Sequence, residues 1–249
     1  MKKILKLSFI AILIFSCSTS YKINFALSQL GVFEDKVELK IFKNKERKVV
    51  FIPMHHVGTK SFYNDVKENI DSLQNRNFKI YYELIITDTT KQKTAKTALN
   101  NRKLRKIYGS EIPDSDEMIS ITEKLSNNKK VKLKKDLVNQ PGYNELGVNM
   151  NQAKNVDAKL NEMITYYEKK YGKVKLEDCD FASLPEEKYE CEVQTRDEKR
   201  IDEVIVTLRN NKVINELKKD STDNIAIIYG KYHFDEIEKY LVNNDYEIQ

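Results

Sequence analysis

Tryptophan is absent from this 249-residue chain, and histidine and cysteine occur only three times each. Proline (4) and glycine (7) are scarce, which excludes a collagen-like repeat, a Pro/Gly-rich linker and a low-complexity segment. Three cysteines exclude a disulfide-dense miniature scaffold. No internal repeat of solenoid length is present. The chain also lacks a strong excess of one charge. Its 43 basic and 38 acidic residues give a formal +5, and removal of residues 1–16 takes away Lys2, Lys3 and Lys6 and leaves +2. A near-neutral chain with interspersed signs argues against a nucleic-acid partner, which calls for a concentrated basic footprint. The dense basic run from Lys129 to Lys135 reads as a solvated face or a strand edge. What is present, 40% hydrophobic and 33% charged residues, describes a globular chain with length for one large domain or two small ones.

The one long apolar run, Leu7 to Ser16, is too short to span a membrane and follows a basic start, Met1-Lys-Lys-Ile-Leu-Lys6. It ends at Ile14-Phe-Ser-Cys17, which resembles a bacterial lipobox. Residues 1–16 are therefore expected to be a signal peptide, with Cys17 acylated at the mature N-terminus. Residues 17–30 are expected to be a tether and residues 31–249 a single domain. The partner implied is a membrane, reached through the lipid, in the bacterial cell envelope (the outer membrane of a diderm cell). Cys179 and Cys191 then remain, in a polar stretch from Leu176 to Val193. Export to an oxidising space favours a disulfide between them, and the wide spacing disfavours a zinc pair.

The three histidines are not scattered. Val49-Val-Phe-Ile-Pro-Met-His55-His56-Val-Gly58 is an apolar strand pattern running into two of them, and Asn224-Ile-Ala-Ile-Ile-Tyr-Gly230-Lys-Tyr232-His233 runs into the third. A third apolar run, Phe78 to Ile86, carries Glu83 near its end. Each histidine precedes a helix pattern, Lys60–Leu73 (with Ser61 as a cap) or Phe234–Val242. In open α/β sheets ligand sites lie at the carboxyl ends of strands, where such loops sit. A lone carboxylate buried there is costly unless it is paired or bound to a cation.

The remaining pattern is a hairpin from Lys36–Phe42 and Lys48–Met54, helices over Thr87–Tyr108, Asp114–Leu125, Asn155–Tyr171 and Thr195–Lys219, a strand over Val131–Val138, and a last short strand at Tyr246-Glu-Ile. This predicts an α/β (mixed α+β) fold: a central mixed sheet flanked by helices, with a helical insertion in the middle.

These residues resemble a known family. Gly230-Lys-Tyr-His233 resembles the second G-x-x-H motif of the TraB/TIKI (PrgY, GumN) proteins, and Pro53-Met-His-His56 resembles the first. Glu83 resembles the family glutamate, and Arg196 or Arg200 the family arginine at the start of the helix before the last strand. The resemblance covers residues 48–249. Pro53 departs from it by standing where the family has glycine. The resemblance implies a fold shared with erythromycin-esterase-like and ChaN-like proteins. It implies a divalent metal ion (cobalt, manganese or zinc) held by His56, His233 and Glu83, with Glu83 and Arg196 as catalytic residues and Gly230, Tyr232 and His55 around the pocket. The activity implied is hydrolysis of a peptide or small molecule, through an ion that activates water or through Glu83 as a metal-free general base. A non-catalytic ligand- or peptide-binding lipoprotein of the same fold is the alternative.

Overall fold

A computed structural model describes residues 18–86, 95–110, 131–185 and 187–249. The signal segment, Cys17, the expected helix Asp114–Leu125 and the first part of the expected helix Thr87–Tyr108 lie outside the described residues. The described chain falls into two compact units, one of residues 18–37, 55–71 and 131–147, the other of residues 38–54, 72–86, 95–110, 148–185 and 187–249.

The second unit is built on a six-stranded mixed sheet. Its strands are β1 (Lys40–Lys43), β2 (Lys48–Met54), β4 (Lys79–Tyr82), β6 (Lys154–Asn155), β7 (Asn224–Gly230) and β8 (Glu247–Ile248), in the order β6-β4-β7-β2-β1-β8. β6, β4, β7 and β2 run parallel, with Tyr82 opposite Ile228 and Met54 opposite Gly230. β1 and β8 extend the sheet antiparallel. The parallel strands are covered on both faces. That is why Val49–Ile52 and Ile225–Tyr229 read as unbroken apolar runs and are buried throughout. The expected hairpin forms, and Asn44 closes its turn by accepting hydrogen bonds from the Glu46 and Arg47 amides.

Helices pack on this sheet by their apolar stripes. Val213 and Leu217 of α7 (Leu208–Lys219) and Ile237 and Leu241 of α8 (Phe234–Val242) share a core with Phe42, Phe51, Ile225 and Ile227. A second core joins Leu104 and Ile107 of α3 (Ala95–Tyr108) to Met163 and Tyr167 of α4 (Leu160–Tyr171). The expected helix Thr195–Lys219 begins later, as α6 (Glu198–Asp202), and is interrupted by a π-helical turn, Glu203–Thr207, before α7. The extra residue of that turn shifts the helical phase just ahead of Arg209.

The stretch 176–193 is an excursion with one short helix, α5 (Asp178–Phe181), and the expected disulfide, Cys179–Cys191, is formed. Two buried cations of α3 hold it. Lys106 pairs with Asp180 at 2.7 Å, while Arg105 donates to the Leu184 carbonyl at 2.6 Å and the Lys188 carbonyl at 3.0 Å.

In the first unit, α2 (Lys60–Asn75) starts one residue after Thr59, whose hydroxyl accepts from the Phe62 amide at 3.0 Å. Thr59, rather than Ser61, is therefore its cap. β3 (Val57–Gly58) pairs antiparallel with β5 (Val138–Asn139), so of the expected strand 131–138 only Val138 joins a ladder. Residues 18–29, expected as a tether, form a helix, α1 (Ser18–Gln29). It is tied down by Asn24, whose side chain donates to the Lys132 carbonyl and accepts from the Lys134 amide, both at 2.7 Å.

Candidate functional site

Glu83 follows β4 by one residue, and its amide donates to the Ile228 carbonyl of β7 at 3.2 Å. One carboxylate oxygen accepts from the Gly230 amide, where β7 ends. A side chain at position 230 would bring its Cβ to 3.1 Å from that oxygen, so the glycine is what lets the carboxylate reach the backbone. The other oxygen accepts from Arg209 Nη2 and lies 3.7 Å from His233 Nε2. The ends of two adjacent parallel strands thus bring Glu83, Gly230 and His233 together, all three singled out by their positions in the sequence.

The cation of this cluster is Arg209, whose side chain is only 8% exposed. Neither Arg196 nor Arg200 takes that place. Arg196 is exposed. Arg200 sits over the Tyr171 ring and pairs with Asp197 at 3.2 Å. Arg209 meets Asp157 side-on, with Nε to Oδ1 and Nη2 to Oδ2 both at 2.8 Å. Its Nη1 reaches the Ile205 carbonyl at 3.3 Å, within the π turn, and His233 Nε2 at 3.2 Å. All five guanidinium hydrogens are therefore engaged. Burial works against its charge, but the Asp157 and Glu83 carboxylates outweigh it and push its pKa higher still.

Arginine has only donors to offer, so His233 Nε2 must be the acceptor of that contact. The ring proton then lies on Nδ1 and goes to Asn210 Oδ1 at 2.8 Å. The Asn210 amide donates in turn to Glu236 at 2.9 Å, and Glu236 also accepts from Thr207 at 2.9 Å. Burial, with the Arg209 guanidinium beside it, pushes the imidazole down to about 4. His233 is a neutral ring of fixed tautomer. Tyr229 stands edge-on to it and donates to Asp157 Oδ1 at 2.9 Å. Burial and the Asp157 charge hold that hydroxyl well above the ordinary phenol range.

His55 and His56 are described in the other unit. The His55 ring lies 5.4 Å from Phe62, and its carbonyl accepts from the Tyr63 hydroxyl at 2.7 Å. His56 is exposed, with its carbonyl accepting from the Gln140 amide at 2.8 Å. Tyr232 is 77% exposed on the short 3-10 turn Lys231–His233, so it faces solvent and lines no enclosed pocket.

Among the described residues, no three His, Cys, Asp or Glu side chains converge in a way that could hold a metal ion. The two donors that do converge, Glu83 and His233, both face Arg209. A divalent ion between them would lie against a buried, permanently charged guanidinium, and the donor set does not fit such an ion.

The sequence reading missed Arg209, Asn210 and Asp157. A signal for two of them was present. Val206, Val213 and Leu217 mark an apolar helical stripe, and Asn210 falls on it at helical spacing, with Arg209 beside it. Polar residues on a buried stripe point to a hydrogen-bonded network. Asp157 offered no such mark, because it lies in the β6–α4 connection, where a polar residue is ordinary. Comparison with known proteins adds nothing to this picture: no family model, no curated protein and no solved structure matches the chain.

Proposed function

We propose that the mature chain is a lipid-anchored protein of the bacterial envelope, TraB/TIKI-like and with an erythromycin-esterase- or ChaN-like fold, that binds a peptide or small molecule without hydrolysing it. The observation that carries this reading is the closure of the Glu83–Arg209–His233 cluster. Every guanidinium hydrogen and both imidazole nitrogens are engaged within the chain. Catalysis needs a base free to take a proton and a donor free to meet developing negative charge. Here the carboxylate is held by Arg209 and the Gly230 amide, the ring nitrogen that could act as base is occupied, and the arginine has no hydrogen left for an oxyanion. What supports the anchor is the Ile14-Phe-Ser-Cys17 pattern behind a short apolar run.

One observation favours a hydrolase as the second reading. Glu83 and His233 stand at the carboxyl ends of adjacent parallel strands, where α/β sheets present ligands. Hydrolysis there would require Arg209 to leave its present partners.

The test is incubation of the immobilised mature chain with a random peptide library, with and without cobalt, manganese or zinc, read by mass spectrometry. The expected result is retention of a subset of peptides, all recovered intact, with no change in melting temperature on adding metal. Metal-dependent cleavage that disappears in a folded Glu83→Gln variant would overturn the proposal in favour of the hydrolase.

A further inference from the structure

We infer that α1 and the lysines of the segment bound to it form a membrane-contacting surface, which lies on a bilayer carrying anionic phospholipid. The inference rests on the reading of Cys17 as the acylated N-terminus and goes beyond it. A lipid says that the chain is near a membrane, but not which face meets it.

Five observations converge. First, α1 already includes Ser18, the residue after the acylation position, so a lipid there holds this helix close to the headgroups. Second, Tyr21, Lys22, Phe25, Ala26, Gln29 and Leu30 are all exposed, at positions i, i+1, i+4, i+5, i+8 and i+9 of one continuous helical stripe. Tyr21 is 71% exposed and Phe25 56%, and their rings stack at 6.4 Å. Two aromatic rings paired in water on a helix twelve residues, about 18 Å, long are an unusual use of surface.

Third, the opposite face is already occupied. Asn24 and Ser20 bond the backbone of residues 132–134, which fixes which way the aromatic stripe points within this unit. Fourth, that bonded segment carries Lys132 and Lys134, both exposed. Lys135 is different, since it pairs with Asp35 at 2.5 Å. Fifth, the sequence holds no acidic residue from Cys17 to Phe33, so α1 itself carries no negative charge to oppose an anionic surface.

Aromatic rings favour the headgroup level, and basic side chains beside an apolar stripe mark helices that lie in the interface plane. The lipid fixes only that the chain is held at the membrane, and a second contact of this kind fixes which face lies on it. Lys132 and Lys134, ordinary as members of a solvated face, thereby have a specific counterpart in anionic headgroups.

The chain has no tryptophan, so Phe25→Trp introduces a single reporter at an exposed position. The experiment reconstitutes the acylated full chain carrying this change into vesicles of phosphatidylcholine with and without phosphatidylglycerol, some with lipids brominated along the acyl chain. The expected result is a blue-shifted emission, quenched by the brominated lipid and stronger with phosphatidylglycerol. In a second arm, the unacylated Cys17→Ser chain is titrated with the same vesicles. Lys132→Gln with Lys134→Gln should lower its affinity for the anionic vesicles by roughly tenfold or more and leave the neutral ones unaffected. An acylated, membrane-bound Phe25→Trp chain whose tryptophan emission stays that of a water-exposed ring, unquenched, overturns the surface while leaving the anchor standing. A Phe25→Trp chain that its host leaves unacylated at Cys17 but whose emission is still quenched by the brominated vesicles removes the anchor and supports the surface.

Discussion

Replacing Arg209 with methionine keeps most of the side-chain volume and removes the charge on which the strand-end cluster depends. Asp157, whose side chain is fully buried, loses both side-on bonds and keeps only Tyr229 and the Ala158 amide as partners. Glu83 loses one of its bonds, and the Ile205 carbonyl and His233 Nε2 each lose a donor. Breaking a buried charge pair by removing one partner costs about 3–5 kcal/mol, about a fifth or more of the stability of an ordinary domain. At pH 7 the urea midpoint should fall by roughly 1–2 M, for a slope of about 2–3 kcal/mol per molar. The loss should also depend on pH in a particular direction. Arg209 is the second cause, after burial, that holds the His233 pKa down. Without it the imidazole protonates more readily in the folded state, 3.7 Å from Glu83, and replaces part of the missing positive charge. The gap between variant and wild type should therefore narrow from pH 7 to pH 5. Arg209→Lys keeps a charge but cannot form the side-on pair, and should fall between the two. A loss below about 1 kcal/mol at pH 7, or a gap that does not change with pH, would refute the view of Arg209 as the cation locking this cluster.

The same network sets the acid limb of the wild-type stability curve. The unfolded chain takes up a proton on His233 near its ordinary value of 6.5, whereas the folded chain resists until about 4, so stability falls as pH drops through that window. The contribution is on the order of 3 kcal/mol, and His233→Gln should flatten this limb in urea titrations run from pH 7 to pH 4. Gly230→Ala forces its new Cβ to 3.1 Å from a Glu83 oxygen; melting should show a loss of about 1–3 kcal/mol, relieved when it is combined with Glu83→Ala. Lys106→Met leaves the buried Asp180 carboxylate without its cation and should cost about 3–5 kcal/mol. Reducing the Cys179–Cys191 bond, which closes a twelve-residue separation, should cost about 3 kcal/mol at most in the same denaturation assay, because Arg105 and Lys106 still hold the excursion.

How far the sequence reveals this architecture depends on which physical signal each element carries. β2, β7 and α8 are legible almost to the residue, because the first two are apolar on both faces and the third shows a clean helical stripe. β4 ends at Tyr82, earlier than its apolar run suggests, because the chain leaves the ladder where Glu83 turns to meet Gly230 and Arg209. The apolar residues beyond serve another purpose, with Ile85 packing against the α3–α4 core. The π turn leaves no mark in a periodicity of 3.6, since one extra residue over a helix of this length is within the scatter of the pattern. Yet that residue sets the phase at which Arg209 and Asn210 face the strand ends. Arg196 and Arg200 were singled out by resemblance to a family arginine at a helix start, but here that start is exposed, and their charges go to a local carboxylate, a tyrosine ring and solvent. The informative arginine is the one that interrupts an apolar stripe. A buried cation must bring its own anions, and Asp157 and Glu83 are those anions, one from an inconspicuous loop and one from a strand end. Glu83 and His233 were legible because a polar residue is out of place at the end of an apolar strand. Their chemistry was not, because it depends on a third element whose position in space, 126 residues from Glu83, no local pattern records.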